Sequence, residues 1–346
     1  MREIINRISM GGLTAVYRRE SETGVVELVL VPTSCEGDIV RIDCAAEPLV
    51  QAKLETDDAP AFFSGGRTMR NGPTVRAIVF DGQTVQKSDD KTVILTTLTD
   101  ARGLAYTHTL TLYANNNAAE IVTAVKNTGS TPVTLEMLSS FTLGRLSPFS
   151  EGLAPETLHI RRLRTTWSAE GRLVTDRAED LQLEPSWKCY SANCLRFGAL
   201  GNYPVHGFAP FCAVEDTTHG VTWAAATTQG SSWQMELYRQ DRGLSLSGGL
   251  ADREFGAWCK TLAPGETFTA PKAIVTAVQG GVNLAAQALA ENTRRTIEAT
   301  LPESEKSMPV LFNEFCSTWG SPTEETILKH LEALKGRNLG YRHPST

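Results

Sequence analysis

Thr92-Val-Ile-Leu-Thr-Thr-Leu98, Asp100-Ala-Arg-Gly103 and Tyr106-Thr-His-Thr-Leu-Thr-Leu-Tyr113 follow one another in the chain, and this stretch decides the fold class. From 106 to 113 the side chains alternate with a period of two, which gives a strand one buried and one open face. The Asp-Ala-Arg-Gly segment reads as the turn between two such strands. Working outward, Val75-Arg-Ala-Ile-Val-Phe80 runs into Asp81-Gly82, which predicts a strand and a tight hairpin turn. Val26-Glu-Leu-Val-Leu-Val-Pro32 predicts a strand closed by its proline. Residues 119–126 and 132–137 predict another strand pair around Asn127-Thr-Gly-Ser130. The Pro-, Gly- and Ser-containing stretch 145–160 predicts a crossing between sheets. Val221-Thr-Trp-Ala-Ala-Ala226, Trp233-Gln-Met-Glu-Leu-Tyr238 and Lys272-Ala-Ile-Val-Thr-Ala-Val278 add further strands. Strand signal from about residue 10 to 280 points to one large antiparallel two-sheet sandwich.

Near residue 280 the period changes. Residues 283–300 place Leu284, Ala288, Leu289 and Ile297 between polar residues, which predicts an amphipathic helix after Gly280-Gly281. Met308-Pro-Val-Leu-Phe-Asn313 reads as a short buried strand. Ser321-Pro322-Thr323-Glu324 reads as a helix start with Ser321 as N-cap, and Ile327, Leu328, Leu331 and Leu334 give that helix its apolar face. It would end near Gly336, and Leu339-Gly-Tyr341 reads as the start of another strand. One βα unit cannot bury its own faces, so residues 306–346 read as the opening of a second domain that stops short. The expected organisation is a β domain over 1–280, a linker helix over 281–305 and the start of a barrel over 306–346.

Composition narrows the function classes. The 346 residues carry 33 Lys and Arg against 39 Asp and Glu, a net charge of −6. No basic field exists to hold phosphate backbones, so nucleic acid is not an expected partner. No run of 18 apolar residues suggests a membrane span, and the first residues lack the apolar core of a secretory signal. The cysteines at 35, 44, 189, 194, 212, 259 and 316 are odd in number. Cys189 and Cys194 form a lone C-x4-C with no second pair behind it, so free thiols in a cytoplasmic protein are expected. The six histidines show no H-x3-H or H-E-x-x-H spacing, and no glycine-rich phosphate loop opens a helix. Neither metal nor cofactor is expected.

Several segments in order resemble the N-terminal half of the α-galactosidases of glycoside hydrolase family 36. Arg164-Thr-Thr-Trp167-Ser-Ala-Glu170 resembles the family's H-G-x-W-x-R-E segment. His206-Gly-Phe-Ala-Pro-Phe211 resembles S-H-Q-x-N-P-F. Gly220-Val-Thr-Trp223 followed by Gly230-Ser-Ser-Trp233 resembles a pair of tryptophan-bearing strands. Leu262-Ala-Pro-Gly-Glu266-Thr-Phe-Thr-Ala-Pro271 resembles L-x-P-G-E-x-F-x-x-P. Pro309-Val-Leu-Phe-Asn313-Glu-Phe-Cys-Ser-Thr-Trp319 resembles P-V-L-x-N-x-W-E-A, the first barrel strand. The resemblance implies a β-supersandwich, a (β/α)8 catalytic barrel and a C-terminal β domain, with removal of terminal α-galactosyl groups from oligosaccharides. Retention uses a nucleophile and an acid/base carboxylate about 5–5.5 Å apart. The family carries them on later barrel strands, in K-W-D type motifs. This sequence has neither K-W-D nor the D-D-G-W of the second barrel strand. The resemblance therefore implies no catalytic residue here and no hydrolysis by these residues alone. Raffinose-synthase-like or N-acetylgalactosaminidase-like specificity would be decided in the barrel. The alternative is a non-catalytic sandwich that binds carbohydrate.

The resemblance also marks substrate-binding candidates. Phe315 aligns with an aromatic that stacks on the sugar, and reads either so or as core. Cys316 replaces the usual glutamate beside it. Asn313 reads as an amide ligand or as a partner of buried backbone. Trp319 follows in the same loop. Trp167 aligns with a tryptophan reaching toward the active site, and reads otherwise as sandwich core. His206 aligns with the histidine of S-H-Q, or is structural. Arg70 matches the arginine of a G-T-G-D-F-R loop that reaches a neighbouring subunit in family homo-oligomers, with Thr68 nearest the missing aspartate; the plain reading is a solvated tip. Trp223, Trp233 and Trp258 read as core. The pairs Glu215-Asp216 and Asp89-Asp90 read as solvated turn residues.

Overall fold

The computed structural model describes residues 2–40, 44–58, 68–150, 156–185, 192–201, 206–240, 242–306 and 312–337. The chain divides into two compact units, Met1–Asn292 and Thr293–Thr346.

The first unit is built from antiparallel strands. They begin with β1 (Arg2–Met10), β2 (Leu13–Glu20), β3 (Val26–Pro32), β4 (Ala52–Leu54), β5 (Val79–Lys87), β6 (Lys91–Asp100) and β7 (Leu104–Tyr113). Then come β8 (Asn116–Asn127), β9 (Val133–Leu146), β10 (Leu158–Thr165), β11 (Arg172–Arg177), β12 (Ala192–Ala199), β13 (Gly207–Asp216) and β14 (Val221–Thr227). The last are β15 (Trp233–Gln240), β16 (Gly243–Leu250), β17 (Lys260–Leu262), β18 (Thr267–Thr269) and β19 (Ala273–Gln279). Short helices α1 (Pro73–Ala77) and α2 (Arg253–Gly256) interrupt them, and α3 (Val282–Thr300) follows. The large sheet runs β11-β10-β13-β14-β19-β8-β7-β6-β5, with β18 on β8. The second runs β12-β15-β16-β9-β17, with β4 also on β9. β1, β2 and β3 form a third. The fold is mainly β, a large antiparallel supersandwich.

The β6–β7 stretch behaves as its pattern requires. Burial alternates residue by residue along both strands, and the pairing runs unbroken from Lys91↔Tyr113 to Asp100↔Leu104. At the turn Gly103 takes φ +88, the left-handed region open to glycine, and its N–H donates to Asp100 O at 3.0 Å.

Two local expectations are corrected. Residues 75–77 are helical, because Pro73 opens α1 at its first position, and Asp81-Gly82 lie within β5. There the register against β6 shifts between Phe80 and Gly82, so the Asp-Gly pair makes a bulge, and the hairpin turn falls at Ser88–Asp90. β8 and β9 do not pair: β8 bonds to β7, β18 and β19, while β9 bonds to β4, β16 and β17. The segment around Asn127–Ser130 therefore joins strands of different sheets, and β9 and β10 likewise belong to different sheets.

The main core lies between the sheets and takes side chains from all three, among them Tyr17, Leu30, Leu110, Ile121, Phe141, Trp223 and Leu237. Trp223 Nε1 donates to Leu30 O at 2.6 Å, tying the large sheet to the three-stranded one. The other face of the large sheet has its own cluster. Phe211, Ala213, Ala224, Ile274 and Val278 point to it, while their neighbours Cys212, Val214, Trp223, Val275 and Ala277 point to the main core. Strands buried on both faces read as continuous apolar runs, which is why β14 and β19 lack alternation. Ala285, Ala288 and Leu289 of α3 cover this second face. The expected helix is present, but its buried stripe is Ala285, Ala288, Leu289 and Asn292; Leu284 and Ile297 are exposed.

The second unit holds α4 (Phe315–Thr318) and α5 (Glu324–Leu334). α5 starts two residues later than Ser321-Pro322 suggests. Thr323 is the N-cap, its Oγ1 accepting Thr326 N–H at 3.2 Å, and Thr326 Oγ1 accepts Thr323 N–H at 3.0 Å. This reciprocal pair satisfies two backbone donors at the helix start. The expected strand at 308–313 falls largely outside the described residues, as does 339–341; Phe312 and Asn313 are in no strand.

Candidate functional site

The β10–β11 hairpin brings two of the sequence candidates to one place. Its register runs from His159↔Arg177 to Arg164↔Arg172, and the turn between holds Trp167 at 69% exposure. That value excludes the sandwich core for Trp167. The turn is set by Ala169 N–H donating to Thr166 O at 2.9 Å and Ser168 N–H donating to Glu170 Oε1 at 2.9 Å. β13 pairs with the other side of β10, placing Thr165 opposite Gly207. His206, just before β13, is exposed. An open cavity of about 390 Å³ lies here, lined by Arg164, Thr165, Thr166, Ala169, Arg172, His206, Gly207 and Phe208. Among the described residues that line it there is no carboxylate, so these residues offer hydrogen-bond donors and a ring face but no acid/base pair.

Arg70 sits where the sequence did not place it. The solvated loop tip is corrected: Arg70 is 2% exposed, with Nη2 donating to Glu47 Oε1 at 2.5 Å and Nη1 to Glu236 O at 3.4 Å. Its guanidinium also lies 5.0 Å from the Tyr238 ring centroid. Thr68 is buried too, and its hydroxyl donates to Glu236 Oε1. Desolvation pushes the Glu236 carboxyl up to about 7, against the pull of Arg70 and the Thr68 hydrogen bond. Burial likewise raises Glu47, with the Arg70 charge opposing. Glu47 from the segment before β4, Thr68 and Arg70 from the segment before α1, and Glu236 and Tyr238 from β15 thus form one buried polar network. The rest of the arginine's loop, 59–67, lies outside the described residues.

In the second unit, Asn313 Oδ1 accepts Phe315 N–H at 3.0 Å and so holds the start of α4. Phe315 is 48% exposed and meets Trp319, 70% exposed, edge to face at 6.2 Å. Phe315 is thus open in this chain, and Asn313 serves a backbone group that is itself exposed. Cys316 is exposed beside them.

One acidic pair is corrected. Asp216 is fully buried at the end of β13, accepting hydrogen bonds from Ser147 Oγ at 2.5 Å, Thr218 N at 2.9 Å and His219 N at 3.0 Å, with His219 Nδ1 2.8 Å away. Its oxygens hold the β13–β14 turn against the end of β9. Glu215 is paired with Arg161 at 2.5 Å. Asp89 and Asp90 are exposed in their turn, as expected. Among the described residues no group of three or more His, Cys, Asp or Glu forms a metal-binding cluster. Cys189 lies outside them, which leaves its spacing to Cys194 without a structural reading. No helix among the described residues is long and apolar enough to cross a membrane.

The sequence reading missed Arg164, Arg172 and Phe208 as members of the cavity. The signal was available: with the hairpin centred on Ser168, residues 164 and 172 must face each other.

No protein-family model matches the chain. No curated protein sequence matches it either. Solved structures do. The GH36 α-galactosidase AgaB from Geobacillus stearothermophilus superposes with a TM-score of 0.69 at 13% identity, over 97% of this chain and 48% of that one. A variant of AgaA from the same organism, in complex with raffinose, gives 0.69 at 14% identity over 96% and 48%. The α-galactosidase from Lactobacillus brevis gives 0.69 at 16% identity over 97% and 48%. The chain spans about half the length of these proteins. It has the fold of the corresponding half of the GH36 α-galactosidases.

Proposed function

We propose that these residues form the N-terminal portion of an α-galactosidase-like retaining glycoside hydrolase acting on terminal α-galactosides of oligosaccharides. The observation that supports this most is the superposition of nearly the whole chain on one half of such enzymes. The ordered sequence segments, from Trp167 to Trp319, point the same way. AgaA structures have been determined with raffinose and stachyose, which suggests that substrate class for the complete enzyme. In this reading residues 1–280 are the supersandwich, 281–305 the linker helix and 306–346 the opening of the catalytic barrel. The sandwich walls the substrate cleft and supports subunit assembly, and the barrel is its main partner. Asn313, Phe315, Trp167 and His206 are its sugar-facing residues. Arg70 supports the sandwich from inside. Six free cysteines among the described residues suit a reducing compartment such as the cytoplasm.

The carboxylate pair is not among these residues in this reading, since no K-W-D or D-D-G-W segment occurs. The purified 346-residue chain is expected to release no product from an aryl α-galactoside. Heat-sensitive turnover would overturn that part. The exposure of Trp167, in the turn that carries the cavity residues Thr166 and Ala169, favours a second reading, carbohydrate binding by the sandwich itself. Micromolar affinity of the 346-residue chain for a galactoside would select it.

A further inference from the structure

The β10–β11 hairpin carries five arginines, and three of them are neutralised. Arg161 pairs with Glu215, Arg162 with Asp176, and Arg177 with Glu156 and Asp180. Arg164 and Arg172 are the exception. They are directly opposite in the register, both exposed, and among the described residues neither has an acidic partner. Like charges facing each other across an antiparallel pair are destabilising. The nearby Glu170 carboxylate is instead engaged by the Ser168 N–H. Both arginines line the 390 Å³ cavity with the hydroxyl residues Thr165 and Thr166 and with His206. The Arg164 guanidinium lies 5.6 Å from the Phe208 ring centroid, which steadies its plane at the cavity wall.

We propose that this cavity binds a sugar-sized ligand through an oxyanion, a carboxylate or a phosphate, held between Arg164 and Arg172. A guanidinium presents a planar fork of donors matched to such oxygens, and two forks facing one cavity form a clamp. The anion would cancel the cross-strand repulsion that the protein leaves uncompensated. The volume falls in the range of small-molecule sites. Trp167, exposed in the turn between the lining residues Thr166 and Ala169, would supply an apolar face for a ring attached to the anion. The inference stands on the register and the cavity and does not need the glycosidase reading.

Calorimetric titration of the 346-residue chain with inorganic phosphate, galacturonate and galactose tests it. At least one oxyanion is expected to bind saturably, more weakly as NaCl is added, and at least tenfold more tightly than galactose. Whichever oxyanion binds identifies the planar or tetrahedral source. Arg172→Gln is expected to weaken that binding at least tenfold, while the unliganded variant melts no lower than the wild type. In NMR spectra of the wild type, the Trp167 indole and His206 ring signals should shift on titration. Absence of saturable oxyanion binding up to about 10 mM, a range that reaches affinities weaker than −4.1 kcal/mol, would overturn the proposal. So would equal affinity for galactose, unchanged binding by Arg172→Gln, or signal shifts confined to other parts of the chain.

Discussion

Glu236→Gln is expected to make the protein more stable at neutral and alkaline pH. The Glu236 carboxyl sits at about 7 in the folded chain, against an ordinary value of 4.5. Between those limits the folded state keeps a proton that the unfolded chain releases. Stability therefore falls as pH rises from about 4.5, and the whole penalty is present above about 7. A displacement of about 2.5 pH units at 1.36 kcal/mol per unit gives about 3 kcal/mol as the upper bound. Glutamine keeps the Oε1 acceptor for the Thr68 hydroxyl and carries no charge at any pH, so the variant lacks this slope. Urea midpoints of wild type and variant, measured at pH 5 and pH 8, provide the assay. The two proteins should lie close at pH 5, and the variant should be the more stable by 1–3 kcal/mol, roughly, at pH 8. Parallel pH profiles, or a variant less stable at pH 8 than at pH 5 by the wild-type margin, would refute the reasoning.

Leu289→Ala should cost about 2–5 kcal/mol in urea unfolding, whereas Leu284→Ala on the open side of α3 should stay within about 0.5. Trp223→Phe keeps most of the ring but leaves Leu30 O without its donor; a loss of about 1–3 kcal/mol in the same assay is expected. Thr323→Ala removes the α5 cap, and hydrogen exchange should show lost protection at the Thr326 amide, equivalent to about 1 kcal/mol.

The strands of the meander were legible because their signal is local. Each residue of β6 and β7 declares its face by the period of two, and the bounds of β3 are closed by its own proline. What failed depended on distant partners. Asp81-Gly82 has the chemistry of a hairpin turn, yet pairing with β6 continues through it as a bulge. The sequence on either side of Asn127–Ser130 looks like two neighbouring strands, but they do not pair with each other, and each finds partners in the distant stretch from β16 to β19. The site divides in the same way. Trp167 and His206 were found by resemblance, and the cavity joining them rests on β10 pairing with both β11 and β13. For Arg70 the sequence offers a solvated tip or a loop reaching a neighbouring subunit, and a lone guanidinium is costly to bury. Its burial needs Glu47, Tyr238 and the β15 backbone, none of which stands near it in sequence.

The separation of β8 from β9 has a consequence for synthesis. β5 through β8 can zip as they emerge, each strand meeting the one before it. β9 finds only the short β4 ahead of it, against its first half: its long neighbour β16 begins at Gly243, after β9 ends at Leu146. At 5–20 residues per second, roughly 5–20 seconds pass on a ribosome before that neighbour exists. Over that interval the second half of a fourteen-residue strand, buried in the finished fold, keeps its backbone donors and acceptors open. The six-stranded layer is thus assembled late and from dispersed pieces, and the nascent chain's exposure to mispairing is concentrated on β9.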